Sequence, residues 1–196
     1  MTLATEDRDI LESIVRDALA AALKGESYRP NDPPAGRGAL QAKGGCFVTL
    51  KTGGRLRGCI GCFESAQPIY KTVAEYTRHS ALDDPRFTAN RLTADELSGV
   101  DIDISILSPL ARCDDPTAIT PGVHGIYVRK GMQSGCFLPQ VAEETGWSLE
   151  EFWGHCCRDK AGLSWNAWLE PGVELLTFTA EIITLPPAQS MPPKRP

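Results

Sequence analysis

Cys46-Phe47-Val48-Thr49-Leu50, then Lys51-Thr52-Gly53-Gly54, then Arg55-Leu56-Arg57-Gly58-Cys59-Ile60-Gly61-Cys62-Phe63 is the stretch on which the fold turns. Two runs rich in strand-forming residues flank a short connection that contains glycine, and this pattern predicts a β-hairpin. Alternate residues of a strand share a face. Arg57, Cys59 and Gly61 are therefore expected on one side, and Leu56, Gly58, Ile60 and Cys62 on the other. Glycines inside a strand weaken it and mark a bulge or a close approach by other backbone or by a ligand. An arginine beside a cysteine stabilises the thiolate and raises its reactivity. Cys59 is thus a candidate nucleophile, with Arg57, Gly58 and Gly61 as candidate ligand contacts. A buried, inert cysteine among packing glycines accounts for the same residues.

Outward from the hairpin, helices and strands alternate. Ile10, Leu11, Ile14, Val15, Ala18, Leu19, Ala22 and Leu23 recur at helical spacing, with Thr5 as the expected cap and Gly25 as the stop. Residues 26–44 read as a long loop rich in Gly, Pro and Asn. Residues 68–80 read as a helix with Pro68 in its first turn, broken by Asp83-Asp84-Pro85-Arg86-Phe87. Thr93-Ala94-Asp95-Glu96 is a capping box. Val100, Ile102, Ile104 and Ile106 alternate with Asp101, Asp103 and Ser105, predicting a strand with one buried face. Residues 124–130 and 136–138 predict a second hairpin around a loop at 131–135. Ser148-Leu149-Glu150-Glu151 opens a helix that Gly162 ends. Residues 173–183 read as one last strand, and a proline-rich, disordered tail is expected over 186–196. With several hairpin links among the strands, the class is α+β, a mainly antiparallel sheet with flanking helices. Residues 1–185 form one domain.

The chain has 196 residues, a formal net charge of −5 and a pI of about 5.3. That balance excludes the basic stripe of a general nucleic-acid binder. No apolar run approaches the roughly 20 residues of a membrane span. An acidic start without an apolar signal core, and seven cysteines, an odd number, point to the reducing cytoplasm. Cys59 and Cys62 form a C-x-x-C, but in an extended strand they stand too far apart to bridge, and no second pair completes a zinc site. No metal and no cofactor is called for.

Three histidines are available as bases. His124 lies between Gly122 and Gly125, where backbone approaches a ligand closely. His155 falls off the apolar stripe of Leu149, Phe152, Trp153 and Cys156, and Cys156 belongs to the core. His124 and His155 are the candidate bases, with His79 as the third base available. Asp84 and Arg86 either pair with each other in a solvated turn or meet an anionic small molecule. The four tryptophans, Trp147, Trp153, Trp165 and Trp168, are expected to pack around the last helix.

Leu56-Arg57-Gly58-Cys59-Ile60-Gly61 resembles the signature hexapeptide of the AMMECR family, named for the human Alport syndrome, midface hypoplasia and elliptocytosis candidate region. Asp84-Pro85-Arg86-Phe87, Ile104-Ser105-Ile106-Leu107-Ser108-Pro109, His124-Gly125-Ile126, Phe137-Leu138-Pro139-Gln140-Val141-Ala142, Trp147 and Lys160-Ala161-Gly162-Leu163 resemble its later blocks, in order. The resemblance runs from about Gly44 to Ile183. It implies two unequal lobes with a cleft between them, the larger from the N- and C-terminal parts and the smaller inserted. It also implies, in microbes, the AmmeMemoRadiSam system, with a Memo-like protein and a radical S-adenosylmethionine protein as partners. Two functions follow as expectations. One is a Cys59-dependent enzyme with a small-molecule cleft. The other is a non-catalytic adaptor of those partners.

Overall fold

The computed structural model describes residues 3–188. In chain order its elements are α1 (Thr5–Lys24), α2 (Gly38–Gln41), β1 (Cys46–Thr52), β2 (Arg55–Cys62), α3 (Ile69–Leu82), β3 (Val100–Leu107), β4 (Ala111–Arg112), β5 (Gly125–Lys130), β6 (Gln133–Phe137), α4 (Pro139–Thr145), α5 (Leu149–His155), β7 (Glu174–Phe178) and β8 (Ala180–Leu185). The class is α+β, with two four-stranded sheets whose strand orders are β2-β1-β3-β8 and β4-β7-β5-β6. The chain divides into two compact units, residues 1–107 with 181–196, and residues 108–180. Most of the proline-rich tail lies outside the described residues.

In the first unit β1 pairs antiparallel with both β2 and β3. Gly53 and Gly54 both take positive φ, 55° and 75°, which a two-residue hairpin turn of this hand requires. The inward residues Val48, Leu50, Ile102 and Ile104 are buried with Val15 and Leu19 of α1 and Val73 of α3 in one core. Helix α1 starts one residue earlier than its sequence suggests: Ala4 is the cap, without a side-chain bond, and Thr5 is already helical. Gly25 closes it in the left-handed region, donating back to Ala21 and Ala22. Pro68 is likewise the residue before α3 rather than part of its first turn. The loop at 26–44 is held down. Leu40 of α2 is fully buried, and Ile69 N–H donates to Ala42 O over 2.9 Å.

In the second unit β5 and β6 are joined by Gly131 and Met132 alone, so the expected five-residue loop is a two-residue turn and 133–135 belong to β6. Helix α4 was not expected from sequence. Pro139 sits at its start, and Gly146, at φ 66°, ends it. The Ser148–Glu151 capping box opens α5, which continues into a π-helical turn over Cys156–Lys160. Trp153 and Phe152 fill the core there, with Trp168 stacked on Trp153. The single strand expected over 173–183 is two strands that part at Thr179: β7 joins the sheet of the second unit and β8 that of the first. Local alternation continues through Thr179, so only long-range pairing reveals the break.

Candidate functional site on the edge strand β2

The β1–β2 ladder runs Val48↔Ile60, Thr49↔Cys59 and Leu50↔Gly58, then slips to Lys51↔Leu56. Arg57 is the unpaired extra residue of a β-bulge. The slip undoes the simple alternation expected for this segment: Leu56 stands opposite Lys51, not on Gly58's side. Arg57 is redirected. Its fork bonds the carboxylate of Glu96 and reaches the carbonyls of Asn90 (3.4 Å) and Arg91 (3.3 Å). Glu96 itself closes the capping box with Thr93.

The two glycines permit close contacts inside the first unit. A Cβ on Gly58 would lie 1.9 Å from the carbonyl oxygen of Ser80 on α3. One on Gly61 would lie 2.2 Å from Cys46 O and 2.4 Å from the Phe47 ring. Where α3 meets the strand, the buried Ser80 hydroxyl donates to Val48 O (2.7 Å) and accepts from Ile60 N–H (2.9 Å).

Because Gly58 faces α3, Cys59 faces the other way. As β2 is an edge strand, the outward backbone groups of Cys59 need partners. Asp84 and Arg86 supply them. Cys59 N–H donates to Asp84 Oδ2 over 2.8 Å, and Arg86 Nη2 donates to Cys59 O over 3.1 Å. Arg86 also grips the carboxylate through Nε (2.9 Å) and Nη2 (2.7 Å). Asp84 is only 2% exposed. Burial works to raise its pKa, but the bonds from Arg86 and from the Cys59 N–H outweigh it and hold the carboxyl below its ordinary value. The Asp84–Arg86 pair of the sequence reading exists, therefore, and its task is to clamp the backbone of Cys59.

On the face opposite α3, Thr49 stands directly across from Cys59 and Asp103 directly across from Thr49. Thr49 Oγ1 donates to Cys59 Sγ over 3.2 Å, and Lys51 Nζ lies 3.0 Å from Asp103 Oδ2. A half-buried thiol, a hydroxyl, a carboxylate and an ammonium thus share one face of three neighbouring strands. The Phe47 ring lies over Gly61 and meets Phe63 edge-on at 5.5 Å, giving the face an apolar border. Sequence reading missed Thr49, Lys51 and Asp103. Their signal was the polar half of the alternation in β1 and β3.

Both candidate bases lie in the second unit. His124 Nδ1 accepts from Thr120 N–H over 2.9 Å. His155 Nδ1 donates to Asp159 Oδ2 over 2.7 Å, its ring stacked on Trp147 and edge-on to Trp165. Of the predicted site residues, Cys59, Gly58, Asp84 and Arg86 are brought together, while Arg57 turns to Glu96. Among the described residues no cluster of three or more His, Cys, Asp or Glu is placed to hold a metal, and no helix is long and apolar enough to cross a membrane.

These observations define an α+β protein with a clamped cysteine on the edge strand of an antiparallel sheet. The AMMECR1 family model matches residues 9–183, so the chain belongs to the AMMECR1 family. It is 37% identical to Protein MK0488 of Methanopyrus kandleri, over 92% of this chain and 89% of that one. It is 34% identical to Protein NEQ441 of Nanoarchaeum equitans, over 88% and 97%. The crystal structure of uncharacterized protein PH0010 from Pyrococcus horikoshii is similar to it, with a TM-score of 0.80 at 34% identity, covering 90% of this chain and 91% of that one.

Proposed function

We propose that this AMMECR1-family protein is a thiol enzyme that acts on a small electrophilic carbonyl compound through Cys59. The observation that carries the reading is the Thr49–Cys59 hydrogen bond within a polar row on the face away from α3. Attack would form a C–S bond at the carbonyl carbon while the thiol proton leaves to solvent. Lys51 is a cation on the same face for the charge that gathers on the carbonyl oxygen. Thr49 holds the sulfur, and the Asp84–Arg86 clamp holds the backbone beneath it. An anionic group on the substrate would meet Arg86, whose side chain is half exposed and whose Nη1 takes no bond among the described residues. On this reading, which here follows the family resemblance, the protein acts in the cytoplasm with a Memo-like protein and a radical S-adenosylmethionine protein.

A second reading, a non-catalytic adaptor of those partners, draws on a different observation. Gly58, Gly61, Asp84 and Arg86 all have contacts within the chain that explain them by packing. One experiment separates the two. The protein is screened against metabolites with and without the two companion proteins, and covalent adducts are followed by intact mass. The thiol reading expects an adduct or turnover that Cys59→Ser abolishes. Association with the companions that is unchanged in Cys59→Ser, with no adduct or turnover, supports the adaptor instead.

A further inference from the structure

A cavity of about 460 Å³ lies between α1 and α3, beside the chain that follows Gly25. That volume is in the range of small-molecule sites. Its existence follows from side-chain size. Ala18 and Ala22 of α1 and Ala74 of α3 line it and are themselves almost inaccessible, at 2%, 4% and 6%. Tyr28 and Pro30 add apolar walls.

The polar part of the lining has a distinct charge state. Cations outnumber carboxylates, with Arg29, Lys71 and Arg78 against Glu26 and Glu75, on a chain whose net charge is −5. Lys71 lies 3.7 Å from Asp32, and Arg78 Nη1 donates to Asp83 over 2.9 Å. Glu75 accepts from Gln67 over 2.8 Å and lies 3.7 Å from His79 Nε2. Arg29 has no partner among the described residues, so its planar fork is the group left to receive an acceptor. Among the described residues the Glu26 carboxylate is unpaired too, and it disfavours a second negative charge on the occupant.

We propose that this cavity binds a small amphipathic monocarboxylate, with the carboxylate on Arg29 and the apolar body against Tyr28 and Pro30, over the floor that Ala18, Ala22 and Ala74 form. The site is separate from Cys59, and its test does not depend on the thiol reading. The full chain, labelled with nitrogen-15, is titrated with octanoate, with octanol and octylamine as head-group controls. Octanoate is expected to shift the amides of Ala18, Ala22 and Ala74. Arg29→Met, on an exposed loop, should weaken octanoate about tenfold and leave octanol unchanged. Ala74→Leu, which fills the floor, should weaken both; Arg29→Met keeps the test valid if that variant folds poorly. Cys59→Ser should bind octanoate like the unaltered chain. Three results overturn the proposal: no shift of these amides at millimolar octanoate, equal octanoate affinity in Arg29→Met, or loss of binding in Cys59→Ser.

Discussion

Glu96 is held at about 2, well below the usual carboxylate range, first by the Arg57 fork and then by the Thr93 N–H. A carboxylate depressed in the folded state adds stability that is fully present above its unfolded value, about 4.5. That contribution is lost as pH falls toward 2. Chemical denaturation across pH 6 to 2 should therefore show a stability gap between the unaltered chain and Glu96→Gln that narrows below about pH 4.5. A gap independent of pH would mean that the Arg57–Glu96 pair is not formed as described. Asp84 acts on the backbone of Cys59 rather than on solvent. Asp84→Ala strips a charge-assisted bond from the Cys59 N–H and unpairs Arg86, at a cost of about 2 kcal/mol. Urea denaturation measures it, and a change within error of zero would remove the clamp from the account.

At the scale of elements, the contact between α3 and β2 carries the strongest steric demand. Any side chain on Gly58 meets backbone of Ser80 that cannot rotate away. Gly58→Val should cost at least about 1–3 kcal/mol by overpacking, and Gly61→Val should be comparable, while Cys62→Ala should be milder. Wild-type stability in both glycine variants would show that strand and helix do not meet as described. The hairpin, α1 and β3 were legible in the sequence because their signals are local: Gly53-Gly54, a helical stripe closed by Gly25, and the alternation from Val100. The hexapeptide and Asp84-Pro85-Arg86-Phe87 also stood out in the sequence as candidate segments, but not the division of labour between the two arginines. That depends on the bulge, and a bulge is decided by pairing with β1. The same reason hides the break at Thr179, where two halves of one alternating run pair with different sheets. Helix α4 escaped because seven residues between a strand and a glycine carry too little periodicity to stand out.

Across the whole molecule the seven thiols sort by environment, which makes them a built-in comparison. Cys46, Cys156 and Cys157 are buried, and burial pushes their thiols up. Cys113 is raised by burial and then by Asp115 and Asp114. Cys62 is hydrogen-bonded to Tyr76, and that bond is the first cause that pushes the Tyr76 hydroxyl up. Cys59 is half-buried, as are Cys62, Cys113 and Cys136; its own marks are the backbone clamp from Asp84 and the bond from Thr49. Limiting iodoacetamide on the folded chain, with peptide mapping by mass spectrometry, compares all seven in one sample. Cys59 is expected to be labelled first, and Thr49→Val to change its rate more than that of any other thiol. Preferential labelling of Cys62, Cys113 or Cys136 with Cys59 untouched would contradict it.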